Sequence, residues 1–190
     1  MNIVIDNYDS FTYNLVQYIG EIDSNVKVFK NDSISIDDII NLNPDNIIIS
    51  PGPGRPENSG ISIDIIKHLK NKFPILGICL GHQAIGFAHG AEIINAEDVF
   101  HGKTSRIYHD NNSIFYNIPS PFVATRYHSL IIDNKSLDNN FDIIAKTNSN
   151  LIMGIKHNKF PLYGLQFHPE SILTSVGLQI IKNFLNENIR

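Results

Sequence analysis

The sequence predicts an α/β fold with an open, mostly parallel β-sheet flanked by helices and an added antiparallel section. In the first half of the chain, short runs rich in isoleucine and valine alternate with segments of helical periodicity. Turn residues separate these segments, and after Gly90 the pattern changes to hairpin-like strands. Alternating strands and helices imply right-handed crossovers and a parallel sheet covered on both faces.

The first half supplies the predicted parallel strands and the helices between them. Short apolar runs predict strands at 3–5, 26–29, 47–49 and 75–79. Apolar residues at helical spacing predict four helices, namely one over 11–20 closed by Gly20, one between Ser35 and Pro44, one over 62–69 and one over 81–88. The strand at 75–79 runs directly into the fourth helix.

The second half supplies the antiparallel section and then returns to the parallel sheet. Hairpin-like strands are predicted around Ile93 and at 104–108, 143–147 and 153–156. A last strand at 162–167 precedes a helix with Ile180, Ile181, Phe184 and Leu185 on its apolar side. No repeat or linker interrupts the chain, and the polar segment 136–140 is too short to divide it. We therefore predict one domain over residues 1–190.

Composition narrows the class of partner. Charged residues make up 18% of the chain and the formal net charge is −4, so no basic surface favours a nucleic acid or an anionic membrane. The single cysteine excludes an intramolecular disulfide and favours a reducing compartment. The amino terminus lacks a basic start and reaches Asp6 before any long apolar run, so we expect neither a secretory signal nor a membrane span. A site for a small molecule is the better expectation.

A strand-to-helix turn at 77–81 carries the strongest local signal. Cys79 stands there with Gly77 two residues before it and Gly81 two residues after it, the spacing of a nucleophile elbow. A sharp turn brings strand and helix close together, so the flanking positions must lack bulky side chains while the central residue projects into the open. The thiol then lies at a helix N-terminus, which favours the thiolate. We predict that Cys79 is a nucleophile.

His168 and Glu170 are the candidate partners of this nucleophile. A thiolate needs a proton carrier, and the carrier needs an orienting group. The apolar run 162–167 delivers His168 to the carboxyl edge of the sheet, the side where open parallel sheets bind ligands. Pro169 fixes the chain direction, so that Glu170 can hold the imidazole while the ring faces the thiol. We predict that His168 is the general base and Glu170 its orienter.

Cleavage of an amide also needs hydrogen-bond donors where negative charge develops on the carbonyl oxygen. The backbone amide of Leu80 directly follows the nucleophile. The loop 51–54, Pro-Gly-Pro-Gly, could present the amide of Gly54 to the same oxygen. Its prolines stiffen the loop and its glycines allow close approach to a ligand. No Gly-Lys-Ser/Thr follows, so it is not a phosphate loop.

Plainer interpretations of these residues stay open. Cys79 could be a buried structural cysteine, His168 a loop histidine at a strand end, and Glu170 a charge at the start of a helical turn. The loop 51–54 could be an ordinary tight turn. His82 stands three residues after Cys79, but no second pair of ligands accompanies them. We therefore expect neither a metal nor a cofactor.

Together these motifs resemble the class I, triad-type glutamine amidotransferases. The resemblance rests on the segments 51–54, 77–83 (Gly-Ile-Cys-Leu-Gly-His-Gln) and 167–171 (Phe-His-Pro-Glu-Ser). Three further segments look like the glutaminase subunits of anthranilate synthase and aminodeoxychorismate synthase, namely 6–15, 101–105 and 126–130. The resemblance covers essentially the whole chain and implies a flavodoxin-like fold in a glutamine amidotransferase type-1 domain.

The resemblance also implies a role for each site residue. Cys79 would form a glutamyl thioester, His168 would act as base and then as acid, and Glu170 would orient it, in agreement with the roles inferred from the residues. Residues implied to contact glutamine are Gly52, Pro53, Gly54, Gln83, Ser129 and Leu130. Taken alone, Gln83 is a polar helix residue, Ser129 a loop residue and Leu130 a core residue.

The implied partners are L-glutamine and a larger chorismate-using synthase subunit that receives the ammonia. We expect that subunit to make anthranilate, for tryptophan biosynthesis. The alternatives are aminodeoxychorismate synthase of folate biosynthesis, a stand-alone cysteine hydrolase of γ-glutamyl amides, and a non-catalytic binding module of the same fold. We expect the cytoplasm, or the plastid stroma if the many isoleucine and asparagine residues reflect an AT-rich plastid genome.

Overall fold

Strands and helices alternate through the first half of the computed structural model, which describes residues 1–111 and 113–186. These elements are β1 (Asn2–Asp6), α1 (Thr12–Ile22), β2 (Val26–Lys30), α2 (Ile36–Leu42), β3 (Asn46–Ile49), α3 (Ser62–Leu69), β4 (Ile75–Ile78) and α4 (Leu80–Ala88). The second half contains β5 (Ile93–His109), β6 (Phe122–Ile132), β7 (Phe141–Thr147), β8 (Ile152–His157), β9 (Leu162–Leu165) and α5 (Gly177–Leu185). Short 3₁₀ turns cover Pro56–Asn58 and Ser113–Phe115.

The strands of the described residues form one mixed sheet in the order β2-β1-β3-β4-β9-β8-β7-β5-β6. The pairs from β2 to β9 are parallel. The pairs from β9 to β6 are antiparallel. The predicted α/β class, in which helices flank an open sheet with a parallel part and an antiparallel section, is therefore confirmed.

Helices cover both faces of the parallel strands. Val4 packs with Leu15 of α1 and Phe184 of α5 in one core cluster, whereas Ile3 and Ile5 belong to the cluster on the other face. Residues of α2, α3 and α4 complete that second cluster. Because consecutive residues of a strand face opposite sides, the unbroken apolar run of β1 gives a strand that is buried on both faces.

The helix boundaries differ slightly from the prediction. Gly20 does not close α1, which continues to Ile22 and ends where Asp23 adopts an extended conformation. A glycine is tolerated within a helix, and a Cβ at position 20 would meet no atom within 4 Å. The prediction at Ser35 is confirmed, since its side chain and that of Asp38 form a capping box at the start of α2.

The strand predictions needed three corrections. The segments around Ile93 and at 104–108 belong to one long, bulged strand, β5. Its partner β6 was not predicted, because polar residues at 125–129 interrupt its apolar pattern. The strands predicted at 75–79 and 162–167 end at Ile78 and Leu165.

The prediction of one domain over residues 1–190 stays a prediction, and residues 112 and 187–190 lie outside the described residues. Among the helices in the described part of the chain, none is both long and apolar enough to cross a membrane.

Candidate active site

The candidate site lies where β4 and β9 end. These strands are parallel neighbours, with Ile78 opposite Leu165, so their carboxyl ends emerge side by side. Cys79 directly follows β4, and its amide donates to the Leu165 carbonyl over 2.8 Å. His168 follows three residues after Leu165. The register of two strands thus brings together side chains that are far apart in sequence.

Cys79 occupies a strained turn that requires both flanking glycines. Its backbone has φ 51° and ψ −99°, a conformation that costs a non-glycine residue on the order of 1–3 kcal/mol. A Cβ at Gly77 would lie 2.4 Å from the backbone of Gly81. A Cβ at Gly81 would lie 2.6 Å from the carbonyl oxygen of Ile49 on β3. Side chains at either position would force strand and helix apart.

The thiol of Cys79 is nearly covered by protein. The residue is only 6% exposed, and its Sγ lies 3.9 Å from the carbonyl oxygen of Tyr127. The Nε2 atom of Gln166 donates to the same sulfur over 3.7 Å. Cys79 also immediately precedes α4, where the helix dipole favours negative charge. Donor, acceptor and helix dipole therefore converge on the sulfur.

His168 and Glu170 form a buried pair. His168 Nδ1 lies 2.6 Å from Glu170 Oε1, and each residue is 2% exposed. Burial lowers the pKa of His168, but its interactions with Cys79 and then with Glu170 outweigh that effect and raise the pKa to about 10. His168 Nε2 has no hydrogen-bond partner among the described residues. Glu170 therefore holds one ring nitrogen of His168, and the neighbouring Cys79 and Glu170 together favour the protonated imidazole.

Backbone and aromatic contacts hold the imidazole in place. The His168 amide donates to the Thr125 carbonyl over 3.0 Å, and the hydroxyl of Thr174 donates to the His168 carbonyl over 2.8 Å. The rings of Phe11 and Tyr127 meet the imidazole edge-on, with centroids 5.7 and 5.2 Å away. Sequence reasoning missed Thr125 and Tyr127 because their contacts with His168 depend on where β6 lies, and it missed Phe11 and Thr174 because they lie on separate segments.

The loop 51–54 packs against the start of α4. Asn7 fixes its entry, since the Asn7 amide donates to Ser50 Oγ and its side chain donates to the Ser50 carbonyl, each over 2.9 Å. A Cβ at Gly52 would lie 2.6 Å from Asn7 Cβ and 2.7 Å from a methyl group of Leu80. Only glycine fits between them.

The two predicted oxyanion donors differ in exposure. Leu80 begins α4, where an N–H group has no intrahelical partner. Gly54 and Pro53 are exposed, and Gly54 has φ +79°. The close approach of Gly52 to Leu80 therefore places the loop beside the turn at Cys79, while Gly54 lies nearer to solvent.

The other residues implied to bind glutamine lie on two elements. Gln83 is buried on α4, and its Nε2 donates to the Leu130 carbonyl over 3.0 Å. Ser129 and Leu130 lie on β6, so the interpretation of Ser129 as a loop residue was wrong. Ser129 is exposed and Leu130 is half-buried. An isolated bridge between Thr125 and His168 brings this strand to the site.

Comparison with known proteins gives a consistent result. Residues 3–188 match the family described as Glutamine amidotransferase class-I. Anthranilate synthase component 2 of Porphyra purpurea is 53% identical over 189 residues, which cover 99% of this chain and 100% of that protein. Aminodeoxychorismate/anthranilate synthase component 2 of Bacillus subtilis is 52% identical over 185 residues, which cover 97% and 95%. The likeness extends over nearly the whole chain.

Two further comparisons bear on length and fold. Bifunctional protein TrpGD of Thermotoga maritima is 55% identical over 186 residues, 97% of this chain, but the chain spans only 32% of that protein. The crystal structure of a glutamine amidotransferase of Thermotoga maritima is 13% identical, covers 98% of both chains and has a TM-score of 0.76. At that identity the second likeness shows the fold alone.

Proposed function

Because the chain belongs to the class I glutamine amidotransferase family, we propose that it is the glutaminase subunit of an anthranilate synthase. It hydrolyses L-glutamine to glutamate and ammonia, and it delivers the ammonia to a larger, chorismate-using subunit. The observation that carries the proposal is the buried constellation of Cys79, His168 and Glu170 at the carboxyl edge of a parallel sheet. Names of relatives at 50% identity or more support the choice of synthase.

The first chemical step is attack on the side-chain amide of glutamine. His168 carries the proton of the thiol as an imidazolium, and Cys79 Sγ forms a bond to the amide carbon. The carbonyl becomes a tetrahedral oxyanion, and the Leu80 amide with the loop at 51–54 supplies the hydrogen-bond donors for it. Glu170 stabilises the imidazolium through Nδ1.

The next steps release ammonia and then glutamate. The imidazolium of His168 gives its proton to the amide nitrogen, the carbon–nitrogen bond breaks, and a glutamyl thioester remains on Cys79. A water molecule then loses a proton to His168 and attacks the thioester carbon. The carbon–sulfur bond breaks, the proton returns to the sulfur, and glutamate leaves.

A partner subunit beside the site gives the ammonia a destination. In bulk water ammonia would be protonated and diluted, so a sealed path to the synthase maintains its effective concentration. Two apolar side chains that follow Glu170 and Ser171 in the chain support docking at this place, since Ile172 is 89% and Leu173 57% exposed. Isolated apolar residues are common on surfaces, but an adjacent pair next to a catalytic candidate suits an interface.

The names of relatives also favour a second candidate, the glutaminase subunit of aminodeoxychorismate synthase. Component 2 of the Escherichia coli aminodeoxychorismate synthase is 48% identical over 98% of this chain. The Bacillus subtilis relative carries both names. One subunit serving both synthases would agree with these similarities, and the partner chain decides the product.

Co-purification tests the proposal. The native protein is isolated with its larger partner, and the complex is assayed with chorismate and glutamine, in the wild type and in Cys79→Ala. We expect anthranilate formation from glutamine only in the wild type, and from added ammonia in both. Aminodeoxychorismate as the sole product would favour the second candidate. Full glutaminase activity of the isolated chain would favour a stand-alone hydrolase. Equal glutaminase activity of the wild type and Cys79→Ala would favour a non-catalytic module.

The location of the protein in the cytoplasm or the plastid stroma stays a prediction.

A further inference from the structure

A chain of side-chain amides links β6 to the nucleophile. Gln83 Nε2 donates to the Leu130 carbonyl over 3.0 Å and to Gln166 Oε1 over 3.2 Å. Gln166 Nε2 in turn donates to Cys79 Sγ over 3.7 Å. Gln166 is completely buried, and Gln83 is 3% exposed. The sequence interpretation treated Gln166 only as part of a buried strand and gave it no role.

A backbone carbonyl fixes the direction of this series of hydrogen bonds. The carbonyl oxygen of Leu130 can only accept, so the side-chain group of Gln83 that faces it must be the NH₂. The same nitrogen faces Gln166, which must therefore present its oxygen to Gln83. The opposite end of the Gln166 amide, its NH₂ group, is left facing the sulfur. A rotated amide at Gln166 would place two donors against each other.

The surroundings of the sulfur make this donor selective for the thiolate. The Tyr127 carbonyl, 3.9 Å away, can accept from a thiol but gains nothing from a thiolate. The Gln166 amide can donate to both, and hydrogen bonds to charged acceptors are about twice as strong as neutral ones. Deprotonation of Cys79 therefore weakens the contact with Tyr127 and strengthens the contact with Gln166.

We propose that Gln166 is a further catalytic residue, which donates a hydrogen bond to the nucleophilic sulfur and stabilises its thiolate. Gln83 is the positioning residue that holds the Gln166 amide in the donating orientation. The inference rests on the proposed function, since it assigns a role in the same glutaminase site. It also connects Leu130, which is implied to contact glutamine, to the sulfur through three hydrogen bonds.

The placement of Gln166 is consistent with this role. It stands between the end of β9 and His168, so one short segment supplies both the donor to the sulfur and the base that exchanges a proton with it. A buried amide without partners costs free energy, and the side chain of Gln166 has one partner for its nitrogen and one for its oxygen.

The pH dependence of Cys79 alkylation tests the proposal. The full chain is treated with iodoacetamide over a range of pH, and the rate is fitted for the pH of half-maximal reactivity. Gln166→Met keeps the length of the side chain but removes the donor, and Gln166→Glu also adds a negative charge. We expect the half-maximal pH to rise by about one unit in Gln166→Met and further in Gln166→Glu. The glutaminase kcat/KM of the complex should fall about 10- to 100-fold in both variants.

Two further variants separate this role from a structural one. Asn46→Leu removes another buried amide, at the opposite edge of the sheet, where its Nδ2 donates to Asn2 Oδ1 over 2.9 Å. It should lower thermal stability without moving the alkylation profile. Gln83→Met leaves Gln166 in place but frees its amide to rotate, so we expect a smaller upward shift.

Alkylation profiles of Gln166→Met and Gln166→Glu that superimpose on the wild type would overturn the proposal, even if their activity falls. If the variants at position 166 do not fold, an alkylation profile of Gln83→Met that matches the wild type would also overturn the proposal. Because alkylation needs no glutamine, this outcome is distinct from failure of the proposed function, which the glutaminase activity of the wild-type complex reports.

Discussion

The Nδ1 atom of His168 lies 2.6 Å from Oε1 of Glu170, and both side chains are buried. One residue, Pro169, separates them in the chain, so the proposed base and its proposed orienting carboxylate lie at the site together. Because Glu170 contacts Nδ1, the other ring nitrogen is the one available for the proposed proton exchange with the sulfur and the leaving group. The orientation of the imidazole thus depends on a local contact, whereas its meeting with Cys79 depends on the pairing of distant strands.

Substitution of Glu170 should change the pH profile of the reaction. The pKa of His168 is raised by Cys79 and Glu170, so the imidazolium persists at neutral pH and is lost as pH rises through that value. Glu170→Gln removes one of these charges, and the basic limb of the activity profile should move to lower pH. We expect kcat to fall roughly 10²- to 10⁴-fold. A basic limb at the wild-type position would contradict the assigned role of Glu170.

The nucleophile turn should not tolerate a methyl group at position 81. A Cβ there would lie 2.6 Å from the Ile49 carbonyl, which belongs to the central sheet and cannot yield cheaply. Gly81→Ala should therefore lose about 1–3 kcal/mol of unfolding free energy, measured by urea denaturation, and most of its activity. Gly20→Ala is the matched control, because its Cβ meets no atom within 4 Å and alanine favours a helix. Similar stability of the two variants would contradict the steric account.

Local signals account for much of what the sequence predicted. The strained turn at Cys79 was predictable because glycine spacing of this kind has one steric cause, which the close approaches at Gly77 and Gly81 display. The capping box at Ser35 is likewise encoded within four consecutive residues. Such features need no knowledge of distant parts of the chain.

Other features depended on contacts that a single sequence does not reveal. Polar residues at 125–129 interrupt the apolar pattern of β6. Only its pairing with β5 and its bridge to His168 identify it as a strand that reaches the site. Gln166 occupies a buried position, where residue pattern suggests packing, yet its amide reaches the sulfur of Cys79. The positions of these residues near the site follow from tertiary contacts and not from local propensity.

Three buried histidines should make the fold sensitive to acid. Burial lowers the pKa of His82 to about 3 and that of His157 to about 4. Burial and the nearby charge of Arg126 lower the pKa of His128 to about 3. These residues stay neutral in the folded protein while the unfolded chain protonates them below about pH 6.5. The unfolding free energy should therefore fall as pH decreases from about 6.5 to about 4, by up to about 1.4 kcal/mol per pH unit for each histidine.

Denaturation curves over this range of pH provide the check. His157→Phe fits the surrounding rings of Phe141 and Phe160 and should reduce the slope by the share of one histidine. His68 is exposed on α3, so His68→Gln should keep the wild-type slope. A free energy of unfolding that stays constant between about pH 4 and about pH 6.5 would show that the buried histidines are not kept neutral in the folded protein.

The exposed apolar pair after Glu170 should contribute to partner binding. Ile172→Asp places a charge where an apolar side chain is 89% exposed, so the isolated chain should fold normally. Affinity for the synthase subunit, measured by titration calorimetry, should fall by at least about 10-fold, as it does when a hot-spot residue of an interface is replaced. Unchanged affinity would place the interface elsewhere.

Tyr116 offers a matched control for that experiment. It is 64% exposed, and its carbonyl accepts from Asn183 near the end of α5. That end of α5 contacts Asn46 at the amino edge of the sheet, away from the catalytic residues. Tyr116→Asp should therefore bind the synthase subunit with wild-type affinity.

The central claim is that Cys79 carries a covalent glutamyl group during catalysis. The most direct measurement mixes the complex with L-glutamine, quenches it rapidly with acid and locates the adduct by mass spectrometry of peptides. We expect a glutamyl group on the peptide that contains Cys79 in the wild type and none in Cys79→Ser. An adduct on another residue, or glutamine turnover with no adduct on Cys79 under conditions that preserve thioesters, would contradict the account.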